Sequence, residues 1–568
     1  MRILVLCHSF NSLTQRLYVD LRSRGHEISI EFDIADSVSE EAVALFKPDL
    51  ILAPYLRRAI AASIWRRHVC LIVHPGVVGD RGPAALDWVL QEGRESRWGV
   101  TVLQAEAEMD AGPVWATAEF PLRATSKGSL YRNEVTAAAS RAVLAAVQRY
   151  AAGVQPQAQA GGRLRPWPAQ AQRAIAWESD DSAAVLRKIR AADGFPGVAD
   201  TLLGEPCHLF DAWPEARLPP QFAAAAPGSV VARRETALLR KTVDGAVWIG
   251  HVKRERGRPA IKLPAAEALA AVLPELPELA LADCWEREGT WQDIAYSEDG
   301  AVGVLRFEFY NGAMGTRQCR RLGEALAWAR ARPIRVLVLA GGADYWSNGI
   351  HLNRIEAADS PADESWRNIE AMDDLAAALI GNDTQLTVAA LGGNAGAGGV
   401  FLARAADEVW VRSGVLLNPH YKNMGNLYGS EYWTYLLPPR VGTEGAAAIM
   451  QQRQPMSAAA ALACGLTDAC IDAGREAFAP AVMQRAQELA GGDWAARLEA
   501  KRERRRRDEA AKPLAAYRAE ELAQMRRNFY GFDPSYHVAR YHFVHKTAQA
   551  WTPRHLARHR DLDWRVPA

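Results

Sequence analysis

Two regions of this 568-residue chain carry side chains whose type and spacing suit chemistry. The first is 71–90, "LIVHPGVVGDRGPAALDWVL", where an apolar run stops at His74-Pro75-Gly76. Ligands of open parallel sheets sit at the carboxyl ends of the strands, so a ring delivered there stands at the mouth of a cleft. Downstream, "WGVTVLQAEAEMDAGPVW" gives another strand followed by Asp110 in an Asp-Ala-Gly turn. A His and an Asp at two strand ends form a proton-relay pair, with the carboxylate orienting the imidazole. Taken alone, a strand-end histidine is more often structural.

The second region begins with "VLVLAGGADYWSNGIHLNRI" and continues with "VAALGGNAGAGGVFLARAADEVWV", two strands that each end in a glycine-rich turn. Glycines there let the backbone approach a ligand, and amides at such a turn polarise a carbonyl. The next loop, "NPHYKNMGNLYGSEYW", contains Tyr421 and Glu431. Glu431 lies among Gly, Tyr and Trp, where burial would raise its pKa and suit it to proton transfer.

The elements that must position these residues fall into blocks. Residues 1–155 alternate short β-type runs ("RILVLC", "HEISIEF", "DLILAPY", "VCLIVHPG") with helical stretches, which predicts a doubly wound α/β domain with a parallel sheet. After the small, polar stretch "AAGVQPQAQAGGR", residues 164–264 read as short strands and turns, a small β-barrel domain. An Ala/Leu/Pro-rich connection occupies 265–297, a second α/β pattern 298–475, and a helical, partly basic tail 476–568. The tail's "KRERRRRDEAAK" reads as a solvated helix face.

The first two blocks together, and the second α/β block, resemble known families. "HPGVVGDRGPAALDWVL" followed by "GVTVLQAEAEMDAGPV" resembles the formyltransferases that use formyl-tetrahydrofolate, with His74, Arg81-Gly82 and Asp110-Ala111-Gly112 matching in order and spacing. The resemblance implies a Rossmann-like domain followed by a small OB-like β-barrel. It also implies folate contacts at Tyr55 and Leu56 in "LILAPYLRRAI" and at Arg81. The family's Asn position falls on Ile72, which cannot hydrogen-bond a developing oxyanion; losing one such donor typically costs about a hundredfold in rate. The resemblance implies that His74 works chemically and that the glycines make room for a formyl donor.

The second α/β block resembles the crotonase superfamily, which implies an α/β spiral gripping a coenzyme A thioester carbonyl between two amides, here those of Ile350 and Gly398. Asn311, in "FYNGAMG", falls where that superfamily begins its coenzyme A contacts, and Arg132 is a candidate for a coenzyme A phosphate. The hydratases' two catalytic acids are replaced by Phe401 and His420, so hydration is not expected. Across nearly its full length the chain resembles the HypX/HoxX family of nickel–iron hydrogenase maturation proteins. That resemblance implies formyl transfer from formyl-tetrahydrofolate to coenzyme A, then decarbonylation of formyl-CoA to carbon monoxide. His74 and Asp110 would serve the first step, and Tyr421 and Glu431 the second. Two rivals stand beside this reading: a formyl-tetrahydrofolate hydrolase releasing formate, and a non-catalytic folate- and CoA-binding scaffold.

Bulk properties narrow the setting. With 67 basic and 66 acidic residues the formal charge is +1, so nothing draws the chain as a whole to nucleic acid or an anionic membrane, and formyl transfer to tRNA is disfavoured. No apolar run is long enough to span a bilayer. Seven cysteines without a C-x-x-C pair suggest a reduced, cytoplasmic protein. No cluster has metal-ligand spacing; His537, His542 and His545 lack a Cys or carboxylate at that spacing. Partners are expected to be small-molecule substrates and hydrogenase maturation proteins.

Overall fold

A computed structural model describes residues 1–159, 161–255 and 260–561 of the chain. Residue 160, four residues of the small β domain and the last seven of the tail therefore lie outside the described residues. The first sheet runs in the spatial order Glu27–Phe32, Arg2–Cys7, Leu50–Tyr55, Cys70–His74, Arg97–Gln104, Val114–Pro121. Its first four strands are parallel, as their near-continuous apolar runs predict. The last two pair antiparallel, so Arg97–Gln104 runs against the other five strands, which the expectation of a parallel sheet missed. The turn between them, 105–113, is too short for the helical crossover that a parallel pair needs.

The small β domain is an antiparallel sheet ordered Val230–Arg234, Ala237–Lys241, Ala246–Arg254, Glu205–Glu215, Val198–Leu202, with Lys262–Pro264 added on the third of these. Its core is formed by Val198, Leu209, Leu238, Val247, Ile249 and Val252 against the helix Ser182–Ala192.

The second α/β block is a spiral. Three times a strand of the large sheet turns directly into a short strand of a smaller one: Val336–Gly341 into Tyr345–Ser347, Leu386–Leu391 into Asn394–Gly396, and Glu408–Arg412 into Leu416–Asn418. Stacking these turns brings the two glycine-rich bends together at one edge. The tail is less solvated than its composition suggests. Met525, Phe529 and Tyr536 join the core of the spiral, and Lys501 is buried against Asp407 at 2.6 Å. The exposed arginines of "KRERRRRDEAAK" pair along the helix, as Arg506 does with Glu499 and Glu503. All seven cysteines are free, four of them buried. Among the described residues no helix is long and apolar enough to cross a membrane.

Candidate active site

His74 is the last residue of its strand and is buried, 4% exposed. Its Nε2 lies 3.2 Å from Asp80 Oδ1 and its Nδ1 3.5 Å from Asp110 Oδ2. Asp110 Oδ2 also accepts the Gly82 N–H at 3.0 Å, so the 79–82 loop and the Asp-Ala-Gly turn lock each other. Asp80 is in turn paired with Arg165. A carboxylate at each ring nitrogen fixes the orientation of the imidazole. Gly76 serves the ring itself: a Cβ there would stand 2.3 Å from His74 Nε2. Gln159 clips the loops together, its Oε1 accepting the Gly79 N–H at 3.0 Å and its Nε2 donating to the Asp110 carbonyl at 2.9 Å.

The residues expected to hold folate are close by. Tyr55 ends the neighbouring parallel strand, where its carbonyl accepts the His8 N–H at 2.7 Å. Leu56 and Ile72 are half-buried members of one apolar cluster. Ile72 lies two residues before His74 on the strand, hence on the same face of the sheet. Arg81 is already engaged, donating from Nε to the Met109 carbonyl at 2.9 Å and from Nη2 to Glu108 at 3.1 Å.

In the spiral, the helix Gly398–Arg404 begins where Ala397 takes φ +48°. An added Cβ at Gly349, in the turn before Ile350, would stand 3.4 Å from the Gly398 nitrogen, so the two bends face each other. Among the described residues neither the Ile350 nor the Gly398 N–H meets an acceptor. Glu431 reaches this point: a Cβ on Gly398 would fall 2.2 Å from Glu431 Oε1. Tyr421 donates its hydroxyl to Glu431 Oε2 at 2.5 Å. Phe401 stacks on the Tyr421 ring, centroids 5.7 Å apart and planes 12° apart. Phe401 thus props the tyrosine.

Burial, and then the nearby Asp373 carboxylate, hold the Glu431 carboxyl above its ordinary range against the opposing Tyr421 hydrogen bond. Burial and Glu431 together keep the Tyr421 phenol well above its own, so it stays protonated and donates. Glu431 and Tyr432 both sit in the left-handed region, φ +57° and +60°, at a cost of order 1–3 kcal/mol each. Two buried carboxylates hold that turn. Asp373 Oδ1 accepts the Glu431 N–H at 2.8 Å and the Ser430 hydroxyl at 2.6 Å. Glu521, from the tail, accepts the Tyr432 and Thr434 N–H groups at 2.9 and 2.8 Å.

Arg132 and Asn311 meet where the first domain abuts the spiral. Arg132 donates from Nη1 to Asp344, from Nε to the Tyr345 hydroxyl and from Nη2 to Asn311 Oδ1, each at 2.9 Å. Both residues line a cavity of about 360 Å³ to which all three domains contribute, with Arg123, Arg190, Arg354 and Arg475 also on its wall.

Sequence reasoning missed Asp80, Gln159, Asp373 and Glu521. Asp80 carried a signal, a carboxylate six positions after the histidine in a loop that must fold back. Gln159 looked like linker, Asp373 like one more acid on a helix, and Glu521 like solvated tail.

Comparisons with known proteins follow the same division. The enoyl-CoA hydratase/isomerase family matches residues 306–553, and the formyl transferase C-terminal domain matches 169–263. The chain is 54% identical over 566 residues to the hydrogenase maturation factor HoxX of Bradyrhizobium diazoefficiens, covering 99% of this chain and 97% of that one. It is 27% identical over 208 residues to a methionyl-tRNA formyltransferase of Ralstonia nicotianae, 36% of this chain and 61% of that protein. The crystal structure of HypX from Aquifex aeolicus in complex with tetrahydrofolic acid superposes with a TM-score of 0.96 at 45% identity, covering 100% of both chains.

Proposed function

Since the chain belongs to the HypX/HoxX family of hydrogenase maturation factors, we propose that it makes carbon monoxide for the iron of a nickel–iron hydrogenase in two steps, one at each site. In the first step the thiol of coenzyme A attacks the formyl carbon of formyl-tetrahydrofolate. The C–S bond forms, the C–N bond breaks, and the thiol proton ends on the folate nitrogen. His74, held between Asp80 and Asp110, carries that proton. Loop amides around Gly76 stand in for the oxyanion donor that Ile72 cannot supply.

In the second step formyl-CoA, which has no α-carbon, loses its formyl hydrogen as a proton to Glu431. The C–S bond breaks as carbon monoxide leaves, and Glu431 returns the proton to the thiolate. Ile350 and Gly398 hold the formyl oxygen, while Tyr421 orients the Glu431 carboxylate. The observation that carries this reading is the buried Glu431 carboxyl packed on Gly398 beside two unpartnered amides. A raised carboxyl pKa makes the ionised form a stronger base at neutral pH.

The chemistry of the inter-domain cavity fits the phosphates of coenzyme A. Guanidinium groups from three domains line it, and Arg190 meets no acceptor among the described residues. Leu56, Ile72 and the Tyr55 backbone beside His74 suit a flat pterin. The unpaired cysteines support a cytoplasmic setting, where hydrogenase maturation proteins would take up the product.

The test uses coenzyme A and formyl-tetrahydrofolate labelled in the formyl carbon, with the gas trapped on reduced haem. Wild type is expected to release labelled carbon monoxide. Glu431→Gln is expected to accumulate formyl-CoA, with gas release down by about a hundredfold or more. Labelled formate alone, from wild type and variant alike, would overturn the decarbonylation step and leave the hydrolase.

A further inference from the structure

On the loop that carries Tyr421, basic side chains without acidic partners among the described residues gather where 418–426, the turn 452–455 and the segment 553–558 meet. His420 is 5% exposed, and among the described residues neither its Nδ1 nor its Nε2 has a hydrogen-bond partner. Buried polar atoms are nearly always paired, so a ring with both nitrogens unsatisfied calls for a partner.

Hydrogen bonds place its neighbours. Arg453 donates to Asn426 on the loop that carries His420. The adjacent Gln454 accepts from Arg22 Nη1 at 2.7 Å and donates from Nε2 to the His555 carbonyl at 3.3 Å. Arg453, Lys422 and His555 are half-buried, and the Arg453 charge acts on the other two. Burial first, then Arg453, depresses the pKa of both Lys422 and His555. His420 is pushed down to about 4 by burial and then by His555 and Arg453. Among the described residues no carboxylate pairs with Arg453, Lys422, His555 or His420. Cations drawn together without an acid between them, over a neutral imidazole that lacks partners, form a receptor for negative charge.

We propose that this cluster binds a small oxyanion, a phosphate or carboxylate group, held by Arg453 and Lys422 with His420 hydrogen-bonding from beneath. It shares no residue with the lining of the Arg132 cavity, and it adjoins the Glu431 site, since His420 directly precedes Tyr421. Both co-substrates carry such groups: coenzyme A its phosphates, and the folate donor its glutamate carboxylates.

The experiment is calorimetric titration of the full-length protein with inorganic pyrophosphate, repeated on Arg453→Gln and Lys422→Gln after their melting temperatures are checked. Loss of Arg453 is expected to weaken binding by about tenfold or more. Histidine labelled with carbon-13 at Cε1 should show the His420 ring signal moving on saturation in wild type and not in Arg453→Gln. Displacement of the Arg453-dependent heat by coenzyme A assigns the site to its phosphates. Displacement by tetrahydrofolate assigns it to the glutamate tail, and displacement by neither assigns it to a free anion. Pyrophosphate affinity equal in wild type and Arg453→Gln, or no binding at millimolar concentration, overturns the proposal.

Discussion

Glu431 owes its basicity first to burial and then to neighbouring carboxyls. Burial raises it, Asp373 raises it further, and Glu521 nearby is itself pushed up to about 8 by burial. Arg518, 3.8 Å from Asp373, is the cation facing the group. The folded protein therefore keeps a proton on Glu431 at pH values where the unfolded chain, with an ordinary carboxyl near 4.3, has released it. The stability contribution is fully present below that ordinary value and drains away as pH rises through the elevated one. Glu431→Gln removes this titration. Its melting temperature relative to wild type should thus rise steadily between about pH 5 and 8. Two thermal unfolding curves that stay parallel across that range would show that Glu431 is not held protonated.

Among the elements, the most consequential for the whole chain is its last described segment. Residues 552–560 lie against the strand Glu27–Phe32 of the first domain. Leu556 accepts the Ile30 N–H at 3.0 Å through its carbonyl, and Thr552 Oγ1 accepts the Phe32 N–H at 2.9 Å. Beneath them Glu31 is fully buried with His559 at 2.9 Å and Arg560 at 2.7 Å, and Ser29 accepts the His559 N–H. Burial alone would raise the Glu31 carboxyl, but hydrogen bonds from His559, Thr552 and Arg560 outweigh it and hold the group below its ordinary range. Removing one partner of such a group leaves an uncompensated buried charge. His559→Phe should cost about 3–5 kcal/mol of stability, read from urea unfolding. A loss under about 1 kcal/mol would mean that the segment is only loosely attached.

At the scale of the whole molecule the chain closes on itself: first domain against spiral through Arg132 and Asp344, tail back onto the first domain through Glu31 and His559. Both sites are thus built into one folded unit with a cavity at the junction. Arg132→Ala removes three hydrogen bonds at that junction. We expect coenzyme A to bind about tenfold more weakly while tetrahydrofolate affinity stays within about a factor of two, both measured by calorimetry. Equal losses for the two ligands would make Arg132 a general structural residue.

What the sequence by itself determined is what local chemistry encodes. Apolar runs ending at His74, a turn carrying Asp110, two glycine-rich bends and a carboxylate set among aromatic residues are all legible within short windows. Tertiary structure alone decided what surrounds them. The Glu431 turn depends on Asp373, 58 residues before it, and on Glu521, 89 residues beyond Tyr432. Glu31 finds His559 across 528 residues. Such partners lie outside any periodicity or motif, because only packing a distant helix against the site removes its carboxylate from water and makes it a ligand for the strained backbone. The antiparallel pairing of the last two strands and the place of the tail in the core depend on distant partners in the same way. A strand's direction is set by the length of its connection and the neighbour it meets, and a polar helix is buried only where the fold offers it partners.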